Sequence, residues 1–120
     1  MKVIGKKAWI IPDCDRPPEG EGEMKGHESF IIVNDGKKDA HIKVKLFFDG
    51  KPCVEGITWV VPAQSVKCFR SNSEEHMCGN VVPVGVQYAV KLTSDTNIVV
   101  QYGKLDNRQV NLAYYTTMSF

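Results

Sequence analysis

Residues 84–92 read VGVQYAVKL and residues 40–48 read AHIKVKLFF. In the first stretch Val84, Val86, Tyr88, Val90 and Leu92 occupy alternate positions, with Gly85, Gln87, Ala89 and Lys91 between them. In the second, Ile42, Val44, Leu46 and Phe48 alternate with His41, Lys43, Lys45 and Phe47. Successive side chains of an extended chain point to opposite faces, so a period of two gives each stretch one core-facing side and one mostly solvated side. That is the pattern of antiparallel sheet.

The same reading predicts strands over residues 7–12 (KAWIIP), 28–34 (ESFIIVN), 56–62 (GITWVVP), 65–70 (SVKCFR), 97–105 (NIVVQYGKL) and 113–120 (AYYTTMSF). These carry the β-branched and aromatic residues that suit a half-buried pleated surface. Between them, residues 34–36 (NDG), 49–50 (DG), 62–63 (PA) and 94–97 (SDTN) have turn chemistry. Residues 13–26 and 71–83 form two longer loops rich in Pro, Gly, Glu and Asn, where binding groups tend to sit. Residues 107–114 also fit a turn of helix, through the spacing of Val110, Ala113 and Tyr114. About eight short strands separated by turns predict an all-β fold: a two-sheet antiparallel β-sandwich, jelly-roll-like, in a single domain over residues 1–120.

At 120 residues, 42% of them apolar and 24% charged, the chain has the composition of one folded domain rather than of a disordered segment. Its net charge of +1 creates no global field to select for nucleic acid or anionic membrane, so a nucleic-acid partner is not expected. The local basic groups are Lys6-Lys7, Lys37-Lys38 and the same-face pair Lys43 and Lys45, each read as part of a solvated face. Residues 1–5 lack the apolar run of a signal peptide and no stretch is long enough for a membrane span, which predicts a cytoplasmic protein. Cys14, Cys53, Cys68 and Cys78 contain no C-x-x-C pair and read as free thiols in a reducing compartment, although a disulfide stays open for a hyperthermophilic source.

No nucleophile elbow, phosphate-binding glycine loop, H-E-x-x-H helix or calcium loop is present, so no enzyme and no cofactor is expected. The polar residues of interest stand where strands begin or end. His27 and Glu28 are adjacent, so only one of them can aim into a shared pocket. Asp39 and His41 are two apart, on one side of their strand, within reach of a common ligand or metal. A second reading, a metal-dependent enzyme, would recruit His27, Asp39 and His41 together. Asp106 and Arg108 follow an apolar strand and fit either an ion pair or a planar fork for carboxylate, phosphate or sugar hydroxyls. His76 stands in a polar loop with no assigned role. Phe47 and Tyr115 share faces with polar neighbours and suggest an exposed patch or an oligomer contact.

Several short motifs run in order along nearly the whole chain: Gly5-x-x-x-Trp9, Pro17-Pro18 followed by Gly20, His27-Glu28, Asn34, Asp39-Ala40-His41, Val61-Pro62-Ala63, Ile98-Val99-Val100-Gln101 and Leu105-Asp106-x-Arg108-Gln109. In this series the sequence resembles the sensory rhodopsin transducer family. The resemblance implies a β-sandwich homotetramer, a cytoplasmic partner for a microbial rhodopsin in the member that gives the family its name, and a wider role in binding small molecules such as sugars. Carried over by position, it implies that Trp9, His27, Glu28, Asn34, His41, Asp106 and Arg108 face a ligand. The leading expectation is a non-catalytic sensing module that relays a bound small polar ligand through its oligomer. Transducers acting purely through protein or DNA contacts remain the third reading.

Overall fold

A computed structural model describes residues 3–20, 23–106 and 113–117. Its seven strands are β1 (Lys6–Asp15), β2 (His27–Asn34), β3 (Ala40–Phe48), β4 (Lys51–Val61), β5 (Ser65–Phe69), β6 (Gln87–Asp106) and β7 (Ala113–Thr117). Every pairing is antiparallel. In one sheet the order is β4-β3-β6-β1, using residues 87–94 of β6 and its contact at Ile98; in the other it is β5-β2-β6-β7, using residues 99–106. The long strand β6 therefore belongs to both sheets and joins them.

The two layers close on each other through side chains from their inner faces. Phe30 of β2 lies 5.8 Å from Trp59 of β4 between ring centroids, and Phe69 of β5 stacks on the same indole at 4.3 Å with the planes 1° apart. Around these rings Ile11, Ile32, Ile42, Leu46, Ile57 and Leu92 are all sealed from solvent. The predicted sandwich is present, and the alternation in β3 is as expected, with Ile42, Val44 and Leu46 buried and His41, Lys43 and Phe47 exposed.

The strand count differs from the expected eight because residues 94–97, read as a turn, lie within β6. Lys6 pairs with Ile98 and Ala8 with Thr93, so two steps along β1 match five along β6. The polar tetrapeptide is thus a bulge, the device by which a strand bends and changes sheets. Burial of even-numbered positions continues across it, from Tyr88, Val90, Leu92 and Ser94 to Ile98, Val100, Tyr102 and Lys104. Gly5 closes the same corner. Its φ is +80°, and a Cβ there would run into the Ile98 carbonyl, so only glycine lets β1 start this close to β6.

The loop after β5 is more ordered than its composition implied. Met77 and Val82 are buried, the Trp59 indole Nε1 donates to the His76 carbonyl at 2.6 Å, and His76 Nδ1 accepts the Arg70 N–H at 3.0 Å. His76, expected from sequence to have no role, fixes this loop over the open edge of the aromatic stack. The strand expected at residues 113–120 is observed over 113–117 as β7, while residues 118–120 and most of the alternative helical turn lie outside the described residues.

Candidate functional site

The residues singled out from sequence separate into two groups at different places along β6. His27 pairs with Leu105, whereas His41 stands beside Asp95. These points are ten positions apart along β6, roughly 30 Å of extended chain. The expected gathering at one rim is therefore not what the fold produces, and His27, Asp39 and His41 do not converge as the metal-enzyme reading requires. Among the described residues no three His, Cys, Asp or Glu side chains are grouped as metal ligands.

At the first place, parity sends Glu28 inward and His27 outward, as their adjacency demands. Glu28 is completely buried. Its Oε1 accepts the Ser71 hydroxyl at 2.6 Å and the Tyr88 hydroxyl at 2.5 Å; its Oε2 accepts the Tyr102 hydroxyl and the Asp15 N–H, the latter at 3.0 Å. Four donors on two oxygens is the complement of an ionised carboxylate, which only accepts. The donors come from the end of β1, the loop after β5, and both halves of β6, so one side chain ties the two sheets and a loop together. Lys104, opposite Glu28 in register, is also buried, and its Nζ lies 3.7 Å from Asp15 Oδ2. Burial first, and the Glu28 charge second, push the pKa values of Tyr88 and Tyr102 far above the usual phenol range, so both remain donors. The same causes hold the buried Cys14 thiol protonated, while Cys53, Cys68 and Cys78 are exposed free thiols. Glu28 is sealed from any ligand in this arrangement, and its geometry is that of an internal tie.

His27 is half-buried, its Nδ1–H donating to the Lys25 carbonyl at 2.9 Å. Asp106 ends β6 in the adjoining position, and Arg108 lies outside the described residues. Trp9 is half-buried, with its indole N–H on the Lys6 carbonyl at 2.9 Å and the Lys6 ammonium 4.5 Å above its ring. Asn34 is fully buried: its amide donates to the carbonyls of Lys38 and Val61 at 2.8 and 3.1 Å, and its Oδ1 accepts the Gly36 N–H at 3.0 Å. It shapes the turn over residues 35–39 and pins it to the end of β4, which positions the second place without opening onto it.

That second place is an open cleft of about 970 Å³ at the corner where β6 changes sheets. The turn after β2 supplies Asp35, Lys38 and Asp39, β3 supplies His41, the bulge of β6 supplies Asp95, Thr96 and Asn97, and the start of the chain supplies Ile4 and Lys7. Asp95 grips the first residues of β3 twice, accepting the His41 backbone N–H on Oδ1 and the ring Nδ1–H on Oδ2, both at 2.9 Å. This fixes the His41 ring so that Nε2 is its remaining hydrogen-bonding atom. Asp39 uses Oδ1 on the Ala63 N–H at 3.0 Å, so its true partner is the turn before β5 rather than His41. Sequence reasoning missed Asp95 because it sits in the segment read as a turn. The same-parity spacing of Leu92 and Ile98 was the signal that the strand continued.

These bonds from His41 hold the Asp95 carboxyl below the usual aspartate value of 3.8. A lowered folded-state value means the tie is present at neutral pH and is lost as acid protonates the group, below pH 3.8. The His41 amide resonance is expected to titrate with that acidic midpoint and to lose the transition in Asp95→Asn, as measured by two-dimensional NMR.

Fold and site together define a class: small two-sheet antiparallel β-sandwiches with an open polar cleft at the corner between the sheets. The chain belongs to the Anabaena sensory rhodopsin transducer family, whose model matches residues 4–120. Among solved structures, the Anabaena sensory rhodopsin transducer is similar at 29% identity and a TM-score of 0.73, covering 85% of this chain and 99% of that one. The structure described as Thermotoga maritima 1070 superimposes with a TM-score of 0.85 over 98% of this chain and 96% of the other; at 22% identity it speaks for the shared fold. Among curated proteins none is significantly similar. No helix of the described residues is long and apolar enough to cross a membrane.

Proposed function

We propose that this chain is a non-catalytic cytoplasmic sensing module that binds a small polar ligand, a sugar or related metabolite, in the cleft at the sheet corner. The observation that carries this reading is the His41 ring clamped by Asp95 at the wall of a cleft whose other polar groups include Lys7, Lys38 and Asp39. A concave site with a few fixed donors and acceptors suits a polyhydroxylated molecule, and its size is that of small-ligand sites in general. The cleft is bounded by elements of both sheets, so a ligand there would favour one arrangement of the corner over another and pass that preference to the subunits of a homo-oligomer. Family membership supports a signalling role, and the similarity to a protein named as a rhodopsin transducer supports a membrane receptor of that kind as the partner.

Isothermal titration of the purified protein with a panel of sugars and small metabolites tests the reading. Binding by at least one compound is expected, weakened roughly tenfold or more in His41→Ala, in line with the loss of one or two ligand hydrogen bonds. Silence across the panel, or an affinity indifferent to His41→Ala and Asp39→Ala alike, would overturn it.

A further inference from the structure

The outer face of the β4-β3-β6-β1 sheet carries a second concavity, of about 410 Å³, lined by Lys43, Lys45, Lys91, Thr58, Thr93 and Glu55 among others. Its depth has a local cause. Val44 pairs with Ile57 and Leu46 with Val54, so β4 has an irregular register there, and Gly56 holds a φ of +90° with open space where a Cβ would stand. The charges around the dent are unbalanced. Lys45 and Lys91 are direct cross-strand partners, and Lys43 is two residues along the same face, between Thr58 and Thr93. Three ammonium groups meet one carboxylate, Glu55, whose Oε1 is 3.7 Å from Lys45 Nζ. Lys43 and Lys91 have no ion-pair partner among the described residues.

Like charges directly opposite one another destabilise a sheet pair. Solvation of an outer face explains lysines in general. It does not explain two of them face to face beside a third around a depression, in a chain with nearly as many acids as bases. An arrangement that is repulsive when empty becomes favourable when a multiply charged anion enters, because each ammonium then has a partner and the threonine hydroxyls add donors. Lysine serves phosphate as a flexible point charge, and three of them around one dent match a tetrahedral dianion better than the flat carboxylate that an arginine fork would hold.

We propose that this dent is a binding site for the phosphate group of a soluble phosphate monoester. It is separate from the cleft at His41 and Asp95, since Lys43, Lys45 and Lys91 are not among that cleft's lining residues. Glycerol 3-phosphate is the probe, compared with glycerol and with sodium chloride at matched ionic strength to remove general screening. The midpoint of thermal unfolding of the wild-type protein is expected to rise by roughly 2–5 °C at saturating ester and not in the controls. Lys91→Gln is expected to raise the midpoint slightly without anion, by relieving the repulsion with Lys45, and to lose at least half of the ester-induced rise. General stabilisation by excluded phosphate would raise wild type and Lys91→Gln equally; that result overturns the proposal, as does no rise in the wild type. Sedimentation with phosphatidic acid vesicles, with no response to the soluble ester, would assign the surface to a lipid headgroup and equally overturn it.

Discussion

Glu28→Ala is expected to destabilise the protein by about 4 kcal/mol or more, a large fraction of the roughly 5–15 kcal/mol that holds an ordinary domain folded. The mutation strands three hydroxyls and a backbone N–H that now converge on one carboxylate. Each buried donor left unmatched costs about 1–3 kcal/mol, and bonds to a charged acceptor lie at the upper end. The buried Lys104 ammonium also loses a compensating charge close by. Glu28→Gln retains the shape but sets an amide NH2 against donors, so a loss of about 2–3 kcal/mol is expected. Denaturant unfolding with an unchanged m-value measures both. Folded Glu28→Gln protein should bind the cleft ligand as the wild type does; full stability with lost binding would instead make Glu28 a ligand contact.

Trp59→Ala should cost about 3–5 kcal/mol, the range for removing a large buried aromatic side chain. The indole is the main aromatic bridge between the layers, stacked on Phe69, close to Phe30, and hydrogen-bonded to the loop that covers it. Trp59→Phe keeps a ring in the stack and loses only the N–H and part of the volume, for which about 1–2 kcal/mol is expected. Equal losses in the two variants would mean that the hydrogen bond to His76, rather than the stacking, holds the layers together.

The fold was legible because the alternation in residues 40–48 and 84–92 is a local property that the backbone must obey. Which faces are buried followed from it directly over residues 40–48 and 87–92, whereas Val84, expected on the core face, is exposed and precedes β6. What local chemistry misjudged was residues 94–97: Ser, Asp, Thr and Asn suit a turn, yet β1 pairs on either side of them, at Thr93 and Ile98, and β3 holds them from the other edge, with Asp95 spent on His41 and Ser94 buried opposite Ile42. The parity rule also sent only one of His27 and Glu28 inward, as it must. That Glu28 would be sealed depended on Ser71, Tyr88 and Tyr102, which are 43, 60 and 74 residues away in the chain and carry no local mark of meeting it. Asn34 illustrates the same limit. A polar residue at a strand end reads as a ligand group, but here the turn it closes and the β4 carbonyls beside it consume its hydrogen-bonding capacity. The motif series that marked the family thus combines residues that build the corner, such as Gly5 and Asn34, with Asp39 and His41, which line its cleft.

On the proposed function, the chain's polar residues divide into a sealed internal tie around Glu28 and a ligand-accepting corner around His41 and Asp95. Backbone amide shift mapping during titration with a bound sugar or metabolite tests this division in one measurement. Perturbations concentrated in residues 35–41 and 94–98 are predicted, with Glu28, Tyr88 and Tyr102 unmoved. A map centred on residues 27–29 and 102–106, leaving the His41 amide in place, would contradict it.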